Sequence, residues 1–395
     1  MARSSKKNFF DEATPASKTK ARMVCEYFEA WASVIWKKTS DWGLNADKRL
    51  GYVDLYCGPG KYKDGTASTP LLVYDHILET PELRRHLQIQ FNDGDSENLS
   101  ALISAIDERN KPLRLDERPR HKPIFTDFEL QREMEGLFSD FSSVPTLFFI
   151  DPFGVKGLTR KLISSLIRNK GSDCIFFFNY SKVNWHLEAE HYAAHIDAIF
   201  GPSFSERIRQ AVNRGNLSVG QREDLIVGTL QDALVDVGAI KVEPFKFLDG
   251  DGSKTSHFLF LATKSPKGEE IWKRIGNRNS TYSNQGIPQF VFSSVFDKAK
   301  SDLFQPFLPL GVGDLDDLER RIIAKYAEGT QIKVGQCVQE FQRGSNIMPG
   351  NVKKALLNLE RDGLITLGGG RRSRTRIQLA DDIVISFVRD KQDNG

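Results

Sequence analysis

The sequence is poor in cysteine, and the four it has, Cys25, Cys57, Cys174 and Cys337, never approach a CxxC spacing. That pattern excludes a zinc ribbon, an iron–sulfur site or a disulfide framework, and predicts reduced, semi-buried thiols with no metal to hold. Long apolar runs are missing too, so no membrane span is expected. The basic start, Met1 to Lys7, runs into Asn8, Phe9 and Phe10 without a signal-peptide core, which makes a cytoplasmic protein the expectation. No excess of one charge stands out: the net charge of +3 cannot by itself specify a nucleic-acid partner, so any such argument must come from where the charges sit. There is no internal repeat and no low-complexity segment.

What is present is an ordinary globular composition, 39% hydrophobic and 27% charged over 395 residues, enough for one large domain and one small one. After a basic tail over residues 1–15, Val24, Phe28, Trp31 and Ile35 recur at helical spacing beside Tyr27 and Val34, predicting an amphipathic helix from Ser17 to Trp36. From residue 50 onward, short β-rich runs (Gly51 to Tyr56, Leu87 to Phe91, Pro123 to Thr126, Thr146 to Ile150, Cys174 to Asn179) alternate with segments of helical length. Such alternation predicts a parallel sheet with crossover helices. Residues 239–249 and 256–263 then form two strands joined by Asp249-Gly250-Asp251-Gly252-Ser253, too short a link for a helix. Five alternating strands and a terminal antiparallel hairpin make an α/β plan, that of a class I methyltransferase Rossmann-like sheet and not of a dehydrogenase. That domain is expected over 16–300. Residues 264–313 read as a connecting segment, with a linker at 301–314. Over 315–395, helices at 315–328, 333–342 and 349–362, a strand, a turn at Gly368-Gly369-Gly370 and a strand Ile377 to Leu379 predict a small winged helix.

Four motifs fall at predicted strand ends, where open α/β sheets bind ligands. The first, Tyr52-Val53-Asp54-Leu55-Tyr56-Cys57-Gly58-Pro59-Gly60, makes Asp54, Tyr56, Cys57, Gly58 and Gly60 candidate cofactor contacts: glycines admit a ligand close to the backbone, and the Asp54 carboxylate can reach a cationic amino group. It departs from the dinucleotide fingerprint, whose third glycine falls at Lys63, and a purely structural turn is the alternative. The second, Phe91-Asn92-Asp93-Gly94-Asp95, offers Asp93, with Asp95 next, as acceptor for two ribose hydroxyls, while Asp95 to Asn98 also caps the following helix. Asp127, after the third strand, stands where an adenine amino group would lie; a solvated loop acid is the plainer reading. The fourth, Phe148-Phe149-Ile150-Asp151-Pro152-Phe153-Gly154, resembles the D-P-P-[YF] motif of amino-methyltransferases. There an Asp or Asn side chain and the prolyl carbonyl accept hydrogen bonds from a target amine and the aromatic stacks on the base, which makes Asp151, Pro152 and Phe153 catalytic candidates. The second proline is missing here, and a wall of the cofactor site without catalysis is the other reading.

Taken together, the helix Ser17 to Trp36, the turn Asp54 to Gly60 with Asp64-Gly65 and Ser68-Thr69-Pro70, the strand end Ile150 to Gly154, and Phe258-Leu259-Phe260-Leu261-Ala262-Thr263-Lys264 resemble the three-Cys-motif partner (TcmP) family over roughly residues 15–300. The resemblance implies a methyltransferase-like fold that uses S-adenosylmethionine (SAM), and a radical-SAM-like partner protein carrying a three-cysteine motif. The leading expectation is a SAM-dependent methyltransferase acting on nucleic acid at a base amine, within a modification or defence system. The alternative is a non-catalytic SAM-binding subunit that binds nucleic acid or docks a partner.

Two further groups have positions that invite a role. Glu188, His191 and His195, with His186, are predicted to lie on one helix, where i, i+3, i+7 spacing permits a metal site although a packed or solvated face is the expected outcome. Arg371, Arg372, Arg374 and Arg376 on the predicted wing, with Lys353 and Lys354 on the third helix, stand where winged helices meet nucleic-acid phosphates; partner docking is the alternative.

Overall fold

The computed structural model describes residues 12–39, 49–128, 144–152, 154, 157–215, 217–239, 241–284, 287–295, 315–342, 347, 349–368 and 379–388. The chain divides into two compact units, Met1–Asn279 with Val291–Val295, and Ser280–Phe290 with Phe296–Gly395.

Unit 1 opens with helix α1 (Pro15–Thr39), whose buried stripe of Val24, Tyr27, Phe28 and Trp31 is the one its periodicity predicts. The alternating section follows: β1 (Leu50–Asp54), α2 (Thr69–Glu79), α3 (Pro81–His86), β2 (Leu87–Asn92), α4 (Ser96–Asn110), β3 (Ile124–Thr126), β4 (Thr146–Ile150), α5 (Arg160–Leu166) and β5 (Asp173–Phe178). After β5 come α6 (Tyr180–His186), α7 (Ala193–Phe200), α8 (Pro202–Asn213) and α9 (Val219–Asp236). The hairpin strands β6 (Lys241–Leu248) and β7 (Thr255–Thr263) and helix α10 (Pro266–Asn279) complete the section. A short strand, Val291–Phe292, adds a parallel edge against β6.

The sheet order from that edge strand is β6-β7-β5-β4-β1-β2-β3. Pairing is parallel from β3 through β5, and antiparallel where β7 meets β5 and β6. This is a mixed α/β, mostly parallel, Rossmann-like sheet, consistent with the methyltransferase plan expected from the sequence, and the order carries its consequence: the connections leave in opposite directions on either side of β1, between β2 and β4, creating a crevice at the carboxyl ends. β1 and β4 are buried along their whole length, as central parallel strands covered on both faces must be. Alternate residues supply one face: Val53, Leu55, Phe148, Ile150, Phe176 and Phe178 pack with side chains of α5, α7 and α9. On the other face Phe28 of α1 meets Tyr52 edge-on at 5.3 Å, and α1 lies against α2 and α10.

Two sequence expectations change in unit 1. The start of the connecting segment is not irregular: residues 266–279 form α10. Its buried side carries Ile271, Trp272 and Ile275, but also Glu269 and Lys273, paired at 2.5 Å, and these charges broke the apolar pattern. The later part of that segment, with the linker at 301–314, lies outside the described residues. His186, Glu188, His191 and His195 do not share one helix either. The chain turns after α6, passes through a 3₁₀ turn at Glu190–Tyr192 and restarts as α7, with Tyr192 stacked on His186 at 3.8 Å. Among the described residues no group of three or more His, Cys, Asp or Glu side chains could hold a metal. None of the described helices is long and apolar enough to cross a membrane.

Unit 2 includes a two-residue-per-strand hairpin, β8 (Ser283–Asn284) and β9 (Ile287–Pro288); with β10 assigned to the edge strand above, the rest runs α11 (Leu315–Lys325), β11 (Gln331–Lys333), α12 (Val334–Gln342), α13 (Pro349–Arg361), β12 (Ile365–Gly368) and β13 (Val384–Phe387). The three helices enclose a core including Leu318, Ile322, Val338, Val352 and Leu356, and β11-β13-β12 form an antiparallel sheet. Of the strand expected at Ile377 to Leu379, the first two residues lie outside the described residues. Leu379 is buried without belonging to a strand, whereas in Val384–Phe387 Ile385 and Phe387 turn inward at strand period, and that alternation carries the pairing.

Candidate functional site

The carboxyl ends of β1, β2 and β3 are tied together by Asn92, which the sequence reading passed over. Its side-chain amide donates to the carbonyls of Leu55 and Phe128, and its Oδ1 accepts from the Thr126 hydroxyl and the Phe128 N–H, all between 2.9 and 3.2 Å. An amide buried to 1% exposure with its donors and acceptors used is a fixed strut, and it holds the strand ends that carry Asp54, Asp93 and Asp127.

The turn after β1 is built around Asp93. Oδ2 of Asp93 accepts the Gly58 N–H at 2.8 Å, and Oδ1 accepts the Asp95 N–H at 2.9 Å and the Asn98 amide at 3.2 Å. Gly58 needs its φ of 62° to aim that N–H. Gly60 has a structural reason to be glycine: a Cβ there would meet the Leu102 side chain at 2.7 Å. Cys57 is buried, its N–H bonded to the Asn92 carbonyl at 3.0 Å, and burial pushes its thiol pKa well up. The Tyr56 hydroxyl is pushed up to about 12, by burial first and then by Asp93. Asp95 caps α4 as expected.

Asp54, at 1% exposure, ends β1 with one oxygen served by the Tyr56 N–H at 3.2 Å; the other, Oδ2, has no hydrogen-bond partner. Burial raises its pKa well above the usual carboxylate range, the Tyr56 N–H opposes the shift, and Asp151 and Asp93 add to it. A cleft of about 30 Å³ lies against Asp54, lined also by Tyr56, Cys57, Ser68 and Asp151, and the Ser68 hydroxyl is likewise buried without a partner. The cleft has room for a water or an ammonium group.

Asp151, just beyond β4, is ion-paired with Lys20 of α1, a residue the sequence reading did not single out. Lys20 is 6% exposed, and its ammonium lies 4.9 Å from the centre of the Phe177 ring. The signal was available: Lys20 lies one turn before Val24 on the stripe that continues through Tyr27 and Trp31, and a lysine on an apolar stripe calls for a buried acid. Pro152 is buried beside Asp151, while Phe153 lies outside the described residues. Asp127 is exposed at the same sheet edge and does not line the cleft. The structure therefore gathers Asp54, Tyr56, Cys57, Asp93 and Asp151 with Lys20, and leaves Asp127 to one side.

In unit 2, Lys353 reaches Asp381 at 2.8 Å and Lys354 is exposed on α13. Arg371, Arg372, Arg374 and Arg376 lie outside the described residues.

No protein-family model matches the sequence, and no curated protein matches it. Among solved structures the chain is similar to the methyltransferase domain of bacterial CtHen1, at 13% identity over 60% of this chain and 99% of that one, TM-score 0.28. It is also similar to a putative S-adenosyl-L-methionine-dependent methyltransferase from Methanococcus maripaludis (13% identity, 65% and 96% covered, TM-score 0.27). A third is the DszA carbon methyltransferase (13% identity, 64% and 55% covered, TM-score 0.36). Scores of this size carry no argument of their own, and the fold stands on the strand order.

Proposed function

We propose that unit 1 binds SAM at the carboxyl edge of its sheet and that the chain is a SAM-dependent methyltransferase acting on an amine of a nucleic-acid base. The observation that carries the cofactor reading is the pair of buried, unpartnered polar atoms, Asp54 Oδ2 and Ser68 Oγ, lining one ammonium-sized cleft at the switch point of the sheet. A carboxylate and a hydroxyl in that setting suit the α-ammonium group of a methionine moiety. Asp93 fixes the glycine turn and keeps one acceptor site, on Oδ2, for a ribose hydroxyl, and Asp127, just after the neighbouring strand, would meet an adenine amino group. When bound, SAM supplies an electrophilic methyl group. Asp151 and the Pro152 carbonyl would accept hydrogen bonds from the target amine, which would share the Asp151 carboxylate with Lys20 or displace it.

Unit 2 we read as a winged helix, on the order helix, strand, two helices, two strands, with β13 between β11 and β12. It would contact phosphates through Lys354 and the arginines of 371–376. The motif resemblance to three-Cys-motif partners supports a modification or defence setting with a radical-SAM-like partner.

The Lys20–Asp151 ion pair favours one other reading, a non-catalytic SAM-binding subunit in which that pair locks the acid permanently. Titration with S-adenosylhomocysteine and transfer of labelled methyl groups to DNA and RNA test both readings. Binding with transfer lost in Asp151→Ala supports the enzyme; binding without transfer, with and without the partner, supports the subunit; no binding at millimolar ligand ends the cofactor assignment.

A further inference from the structure

At the opposite edge of the same sheet, where β5 begins and β7 ends, lies a second and larger cavity of about 340 Å³. It is ten times the size of the cleft at Asp54 and within the range of small-molecule sites. One wall is α1, which presents Trp31, Val34 and Ile35; the other is the start of α10, with Pro266 and Ile271. These walls are fixed. Trp31 donates its indole N–H to the Gly171 carbonyl at 2.9 Å, and Tyr27 donates to Asp173 at 2.7 Å. Gly268 lets α10 come so close that a Cβ would stand 2.7 Å from the Tyr27 hydroxyl. A cavity with such walls is built before any ligand arrives.

Among the described residues lining the cavity the charge is one-sided. Lys38, Arg168, Lys170 and Lys264 line it, and Lys264 is drawn across by its 2.6 Å bond to the Arg168 carbonyl. The one carboxylate among the described lining residues, Asp173, is 4% exposed and occupied by Tyr27. Four cations around an apolar slot containing an indole describe the complement of an apolar body carrying negative charge.

We propose that this cavity is a second ligand site, separate from the crevice at the carboxyl ends, for a small anion with a flat or aliphatic apolar body. The site needs both halves of that ligand: the slot removes the body from water, and the lysines select its charge.

The test uses the full chain and two probes that share one ring system, 1-anilinonaphthalene-8-sulfonate and the uncharged N-phenyl-1-naphthylamine, followed by fluorescence titration. The expected result is tighter binding of the sulfonate. Replacing the two exposed residues together, Lys38→Met with Lys170→Met, should weaken the sulfonate about fivefold to tenfold and change the neutral probe by less than about twofold, two partly solvated charges being at stake. A circular dichroism melt of the double variant checks that the fold is intact. Equal affinity of the two probes for the wild-type chain, or a sulfonate affinity unmoved in a folded double variant, would overturn the proposal and leave adventitious apolar binding only.

Discussion

Asp54→Asn should make the ligand-free protein more stable and its cofactor affinity worse. The substitution keeps shape and retains an oxygen for the Tyr56 N–H, now 3.2 Å from Oδ1, but deletes the charge at a position that is 1% exposed. Burial raises the Asp54 pKa in the folded chain, so between the ordinary carboxylate range and that raised value the folded state holds a proton the unfolded state has lost. Its contribution to stability therefore falls as pH rises from about 4. The amide has no such dependence. At pH 8 the variant should be the more stable, by about 1.4 kcal/mol for every tenfold by which folding favours the protonated acid, because the amide has no charge to bury, and the gain should shrink toward pH 5. If Oδ2 meets a ligand ammonium, the same change removes a charge-assisted hydrogen bond of about 1.5–3 kcal/mol, or about tenfold to 150-fold in affinity. Urea unfolding at both pH values and calorimetric titration with S-adenosylhomocysteine measure the two effects. A variant less stable than wild type at pH 8 refutes the electrostatic argument; a more stable variant with unchanged affinity removes Asp54 from the ligand site.

Asn92→Leu should cost about 3 kcal/mol in urea unfolding, because Leu55, Thr126 and Phe128 all lose buried partners at once, and it should weaken ligand binding by letting the strand ends part. Asp173, whose carboxyl burial pushes up to about 6, should make wild-type stability fall between pH 4 and pH 6 by at most about 3 kcal/mol; Asp173→Asn should flatten that window in pH-dependent melts. Replacing Arg371, Arg372, Arg374 and Arg376 by Ala should weaken nucleic-acid binding alike across sequences and flatten the slope of log affinity against log salt by about one unit per lost phosphate contact. An unchanged slope would make unit 2 a docking surface.

What the sequence disclosed depended on whether the relevant physics acts between near neighbours in the chain. β1 and β4 are written as unbroken apolar runs because both faces are covered, and the hairpin of β6 and β7 is written in its Asp-Gly-Asp-Gly turn, so both were legible. α10 was not: its buried face carries Glu269 and Lys273, which neutralise each other four residues apart while Lys241 adds a second cation at 3.3 Å, and a hydrophobicity pattern reads such a face as surface. The same reason hid Lys20. Helical spacing sets it on the stripe of Val24, Tyr27 and Trp31, yet its partner stands 131 residues later at Asp151. Read alone, the helix drew no notice to Lys20, and the strand end gave Asp151 as a catalytic candidate. Joined, they give a buried ion pair at the mouth of the crevice, and the question of activity becomes whether a target amine can take the place of one ammonium. Lys20→Met asks it directly: it leaves an uncompensated Asp151, should destabilise the ligand-free chain by about 2–4 kcal/mol, and, if the pair is a gate, should raise methyl transfer per folded molecule. If it abolishes transfer while S-adenosylhomocysteine still binds, Lys20 positions the acid and the gate is wrong.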